Sequence, residues 1–115
     1  MAIKRIEAII RPEKLEPLRM HLQEVGYPGM MVTEIEGHGK QRGVEQQWRG
    51  SKFKTYFLPK VKIELVVLDK QVKKIVDTII DVCRSGSVGD GKIFISDIKE
   101  VIRIRTKEKG DKAVG

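Results

Sequence analysis

The chain has 115 residues, 40% hydrophobic and 34% charged, which suits one domain with a single core. No apolar run is long enough to span a bilayer, and the first residues enter a strand pattern instead of a signal-peptide pattern, so the cytoplasm is the expected compartment. One cysteine cannot form an internal disulfide, and two distant histidines give no transition-metal site built from protein ligands. The formal net charge of +7 is concentrated in two segments. Between His38 and Tyr56, Lys40, Arg42, Arg49, Lys52 and Lys54 are set against Glu45 alone; from Arg103 onward, Arg103, Arg105, Lys107, Lys109 and Lys112 are set against Glu108 and Asp111. A basic loop and a basic tail on a near-neutral body point to anionic ligands or partners.

In chain order, Ile6, Ala8 and Ile10 alternate as in a strand that Pro12 stops. Leu15, Leu18, Leu22 and Val25 recur at helical spacing, and Gly26 closes that helix. Met31 to Ile35 reads as a second strand ending at Gly37. After Pro59, Val61, Ile63, Leu65 and Val67 form a strict period-two run. Asp69 is expected to cap a helix whose apolar stripe is Val72, Ile75, Val76, Ile79, Ile80 and Cys83, with Cys83 a buried, inert thiol. Strands at Lys92–Ser96 and Val101–Arg105 follow. This order predicts an α+β domain over 1–115, a ferredoxin-like split βαβ (βαββαβ). Two helices cover one face of such a sheet, while Val66 and Leu68 point to the other. Copies of the same chain are the expected cover, hence a homo-oligomer.

Two segments stand outside this core pattern. Residues 38–57 lack apolar periodicity, carry Gly39, Gly43 and Gly50, and hold Trp48, Phe53, Tyr56 and Phe57, four of the six aromatics. So long a loop in a small domain is expected to be functional. The second segment, 84–92, contains Gly86-Ser87-Val88-Gly89-Asp90-Gly91-Lys92, which fits G-x-x-x-x-G-K spacing but has Ile93 where a magnesium-binding Ser or Thr belongs. It also leaves a helix and enters a strand, the reverse of a P-loop. Glycines that let backbone N–H groups approach an anion, with a lysine beside them, still suit polyphosphate. Read as a strand, Ile102-Arg103-Ile104-Arg105 would place two guanidinium groups on one face.

Several blocks, in their order and spacing, resemble the PII nitrogen-regulatory signal proteins: Ile6-Glu7-Ala8-Ile9-Ile10-Arg11-Pro12, Val32-Thr33-Glu34, Gly37-His38-Gly39-Lys40-Gln41, Arg49-Gly50, Phe57-Leu58-Pro59-Lys60-Val61-Lys62-Ile63-Glu64, Gly89-Asp90-Gly91-Lys92-Ile93-Phe94 and Ile102-Arg103-Ile104-Arg105-Thr106. The resemblance implies a homotrimer binding ATP or ADP in clefts between subunits, with 2-oxoglutarate and Mg2+ joining the ATP form. It also implies that loop 38–57, the T-loop, docks on an ammonium channel, glutamine synthetase or other regulators of nitrogen metabolism. Any link to a membrane would then run through a channel partner.

By the same resemblance, Gly89, Asp90, Gly91 and Lys92 wrap the phosphates and Arg103 and Arg105 neutralise them. Lys40 stands where the family usually has an arginine, and so gives up bidentate geometry. Ile9, Gly37, Glu64 and Val66 match the adenine pocket. Met31, also in the nucleotide site, replaces a threonine and removes a hydroxyl hydrogen bond. Gln41 matches the residue completing the Mg2+ and 2-oxoglutarate site, and Lys60 the lysine that pairs with a 2-oxoglutarate carboxylate. Trp48, Arg49, Ser51, Lys52, Phe53 and Lys54 form the partner-binding part of the loop. Phe53 occupies the position of a nucleotidylated tyrosine and has no oxygen to modify. Ser51 matches a position phosphorylated in some relatives.

The implied function is that of a non-catalytic signal integrator, with competing readings as a slow ATP hydrolase or a basic nucleic-acid-binding domain. An RNA-recognition motif needs aromatics on its central strands, and Lys60–Leu68 carries none, so nucleic acid is not an expected partner.

Overall fold

The computed structural model describes residues 2–27, 29–42 and 53–115; for 37–42 and 53–58 it describes the backbone alone. Four antiparallel strands, β1 (Ile3–Ile10), β2 (Met31–Arg42), β3 (Phe53–Leu68) and β4 (Lys92–Ile98), form one sheet in the order β2-β3-β1-β4. Helix α1 (Leu15–Glu24) follows β1, and α2 (Val72–Cys83) follows β3. This is the ferredoxin-like arrangement expected from the order of periodicities.

Period two in the strands and 3.6 in the helices converge on one core. Ile6, Ala8 and Ile10 sit opposite Leu65, Ile63 and Val61 on one face of the sheet, all buried. Leu18 and Leu22 of α1 and Ile75, Ile79 and Cys83 of α2 complete the cluster. Ile80, at the margin of the α2 stripe, is 42% exposed. The end of α1 follows the Schellman pattern: Gly26 at φ +94 donates to the Gln23 carbonyl (3.1 Å), and Tyr27 donates to that of Leu22 (2.7 Å).

Four sequence expectations need correction. First, β2 and β3 stay paired through Arg42 and Phe53, so both ends of the 38–57 segment are a two-stranded ribbon. Pro59 lies inside β3, opposite Glu36 and beyond the reach of β1, where β3 has a neighbour on one side only and a missing N–H is tolerated. Second, Asp69 does not begin α2. It opens a 3-10 turn, Asp69–Gln71, and the Gln71 side chain accepts from the Leu68 N–H at 2.8 Å. Third, Val101–Arg105 is not a strand. A single bridge joins Ile102 to Lys109, and the segment turns back on itself.

Fourth, the face away from the helices is not uniformly apolar. The same period that turns Met31, Val66 and Phe94 to that face also brings up Arg5, Glu7, Lys62 and Glu64. Arg5 pairs with Glu7 at 2.9 Å, and Lys62 lies 3.3 Å from Glu64 and 3.9 Å from Glu7. Phe94 and Met31 flank this charged grid, 52% and 55% exposed.

Candidate functional site

At the end of the sheet where β1 finishes, the α2–β4 loop packs against the strands. Gly91 is the reason it can. Its φ is +100, and a Cβ there would lie 1.6 Å from the Ile9 carbonyl oxygen, so only hydrogen fits between loop and strand. Gly86 and Gly89, at φ +87 and +101, turn the chain before it. Three charged side chains then hold the loop. Asp90 accepts from the Ser85 N–H (2.8 Å), the Ser85 hydroxyl (2.5 Å) and the Gly86 N–H (2.9 Å). Arg11, just past β1, donates to the Val88 carbonyl (2.9 Å) and to Asp90 (3.3 Å). Lys60, from β3, donates to the Gly89 carbonyl at 2.7 Å.

Asp90 therefore faces inward as the organiser of the loop. The Ser85 hydroxyl and N–H, then Gly86 and Arg11, hold its carboxyl well below the usual carboxylate range. Beneath the loop is a mainly apolar cavity of about 180 Å³, lined by Ile10, Ile79, Cys83, Asp90, Gly91 and Ile93 among others. Burial pushes the Cys83 thiol up to about 11, which makes it a poor nucleophile at neutral pH.

The structure brings Ile9, Lys60, Gly89, Asp90, Gly91 and Lys92 to this end of the sheet; Lys92 opens β4, exposed and opposite Ile9. Gly37 pairs with Leu58 near the base of the ribbon, while Lys40 and Gln41 lie farther out, opposite Thr55 and Lys54. Met31 and Glu64 are register partners in mid-sheet, with Val66 two residues along β3 on the same side. Phe53 and Lys54 begin β3, and Trp48, Arg49, Ser51 and Lys52 lie outside the described residues.

Arg103 and Arg105 do not join this group within one chain. Arg103 sits in a hook, where its guanidinium reaches Glu108 (3.1 Å) and the main-chain oxygens of Gly115 (2.6 Å) and Lys112 (3.3 Å). Gly115 and Val114 line a cleft of about 440 Å³ with Leu65, Val66, Val67 and Leu68, the opposite end of β3. From Val61 to Leu68 the strand advances roughly 20 Å. Arg105 is exposed, and Ile104 between the two arginines is 96% exposed.

Sequence reasoning missed the roles of Arg11, Ser85 and Glu108. Arg11 is visible as a cation directly before Pro12 at a strand end, but only the sheet order puts it beside the glycine loop. Ser85 and Asp90, five residues apart around two turning glycines, form a loop-closing pair that spacing could have suggested.

Comparison with known proteins agrees with this arrangement. The model of the family "Nitrogen regulatory protein P-II" matches residues 3–108. The nitrogen regulatory protein P-II of Klebsiella oxytoca is 52% identical over 112 residues, covering 97% of this chain and all of that protein. Among solved structures, a Bacillus subtilis GlnK–ATP complex superposes with a TM-score of 0.81 at 31% identity, covering 97% of this chain and 95% of that one. Arabidopsis thaliana PII bound to citrate gives 0.79 at 35% identity, covering 97% and 89%. A fold of this topology, a glycine loop pinned to β1, and similarity over almost the whole length together show that the chain belongs to the nitrogen regulatory protein P-II family.

Proposed function

We propose that this chain is a regulatory, non-catalytic sensor of adenine nucleotides, in which ATP and ADP compete for a site completed by two copies of the chain in a homotrimer. The observation that carries this reading is the separation within one chain. The glycine loop with Arg11 and Lys60 stands at one end of the sheet, and Arg103 at the other. A polyphosphate touching both sets needs the second set from a neighbour. The ATP complex of the related GlnK supports the nucleotide.

The residues present suit such a ligand. Gly91 packs the glycine loop onto β1, and Arg11, Lys60 and Lys92 supply cations around it. Among the described residues no group of three acidic or histidine side chains could hold a metal ion, so Mg2+ would be carried mainly by the phosphates, with Gln41 as a protein partner. In this reading Lys60 would be the residue that responds to 2-oxoglutarate. Its ammonium holds the Gly89 carbonyl, and a carboxylate ligand would draw it away from the loop. Ligand states then bias the β2–β3 ribbon and the loop it carries, which binds or releases a nitrogen-metabolism target such as an ammonium channel or glutamine synthetase. Among the described residues no helix is long and apolar enough to cross a membrane; the proposed compartment is the cytoplasm.

Calorimetric titration tests the reading directly. ATP and ADP should bind competitively, and 2-oxoglutarate should bind only with Mg-ATP present. Sedimentation should give a trimer. Failure to retain either nucleotide at millimolar concentration, or a strictly monomeric protein, would overturn the proposal.

A further inference from the structure

The hook surrounds the Arg103 guanidinium with oxygen acceptors. Glu108 Oε1 accepts from Arg103 at 3.1 Å and from the Thr106 hydroxyl at 2.8 Å, so the carboxylate is fixed by two donors. The other terminal nitrogen of Arg103 is taken by the Gly115 and Lys112 main-chain oxygens. The backbone closes the loop around this centre: Arg103 N–H to Glu108 carbonyl at 2.9 Å, Lys107 N–H to Arg103 carbonyl at 2.8 Å, and Gly110 N–H to Val101 carbonyl at 3.0 Å. Lys107 turns it through the left-handed region at φ +64, a conformation a lysine keeps only where the surroundings hold it. Glu108 occupies Nη1, a donor that a phosphate would also use, so the two anions compete there. The Arg103 and Glu108 side chains are 31% and 39% exposed, which leaves the pair open to a competing anion from solvent.

We propose that Glu108 is an internal competitor for the phosphate that Arg103 would bind, so that nucleotide binding and docking of the 108–115 tail exclude each other at one guanidinium. The inference rests on the polyphosphate reading above and assigns to Glu108 a role in setting affinity. A highly charged phosphate chain displaces the carboxylate, whereas a weakly charged ligand leaves the hook closed. Tail release then becomes a consequence of nucleotide binding.

The test uses full-length protein, with ATP as the probe. Glu108→Gln keeps the size of the side chain and removes its charge. It should raise ATP affinity about two- to fivefold, the range for one partly exposed ion pair. Glu100→Gln makes the same charge change beside Lys109 without touching Arg103, and should leave affinity unchanged. In the wild type, ATP should speed amide exchange across residues 110–115, because the phosphate takes Arg103 from the Lys112 and Gly115 oxygens. Should E108Q fold poorly, Thr106→Val, which unties the carboxylate but keeps its charge, should raise affinity in the same direction and by less. Equal gains from E108Q and E100Q, no gain from E108Q or T106V, or exchange at 110–115 that ATP does not speed would each overturn the competitor role. A wild type that binds no ATP would instead overturn the functional reading beneath it.

Discussion

The glycine loop and the C-terminal hook are both basic, glycine-bearing segments suited in sequence to phosphate, yet they use opposite physics. In the loop, the acid is turned inward: Asp90 gathers two N–H groups, a hydroxyl and Arg11, and Lys60 holds the loop from a second strand. In the hook, the arginine is turned inward: Arg103 is satisfied by Glu108 and by main-chain oxygens. One is pinned to the sheet around an inward-facing acid; the other closes around an inward-facing arginine. Charge in a sequence therefore gives no measure of charge on offer, because internal partners decide what remains.

The glycines should separate the two regions most sharply. Gly91→Ala would force a Cβ against the Ile9 carbonyl at positive φ, costing about 3 kcal/mol or more and abolishing nucleotide retention. Gly110→Ala in the hook, also at positive φ but with open space around it, should cost only about 1 kcal/mol. Thermal and urea unfolding of both variants measures the contrast, and equal costs would mean that Gly91 is not closely packed.

A smaller effect is expected from Asp90→Ala, which leaves the Ser85 and Gly86 donors without their acceptor and Arg11 with the Val88 carbonyl alone. Because Cys83 lines the cavity under the same loop, this variant should also speed alkylation of Cys83 by iodoacetamide at neutral pH. Unchanged labelling would show that the loop does not rely on Asp90.

The pH dependence sharpens the same point. The folded Asp90 carboxyl is held below its ordinary value, so its contribution is present above that value and is lost as pH falls through the folded one. The Ser85 and Gly86 amide signals should therefore hold at about pH 4 and shift only in stronger acid. Cys83 behaves in the opposite sense. Its folded value of about 11 lies above the ordinary 9.0, so the unfolded thiol ionises first and stability should fall as pH rises across that interval. Smallest of all is the exposed Lys73–Asp77 pair on α2, where Lys73→Ala should leave the melting temperature unchanged within error.

How far the sequence was legible follows from the kind of information each feature carries. The alternation at Val61, Ile63, Leu65 and Val67 and the stripe at Ile75, Ile79 and Cys83 fixed strand, helix and core face without reference to anything distant. The glycine loop was legible as a place for close backbone approach. That the approach is to Ile9, and that Asp90 points inward, depended on β4 pairing with β1. The alternation of Ile102, Arg103, Ile104 and Arg105 misled. Ile102 and Ile104 bury little, at 53% and 96% exposure, so no core rewards a strand there.

By itself, then, the sequence determined the order of the four strands and two helices, the buried stripes and the presence of two cationic, glycine-containing segments. These follow from local periodicity and side-chain chemistry, which are written residue by residue. Tertiary structure alone decided that Arg11 and Lys60 clamp the glycine loop, that Glu108 answers Arg103, and that the two segments stand at opposite ends of the sheet. Those facts depend on which strands are neighbours and which face each side chain meets, and no spacing along a chain carries that information.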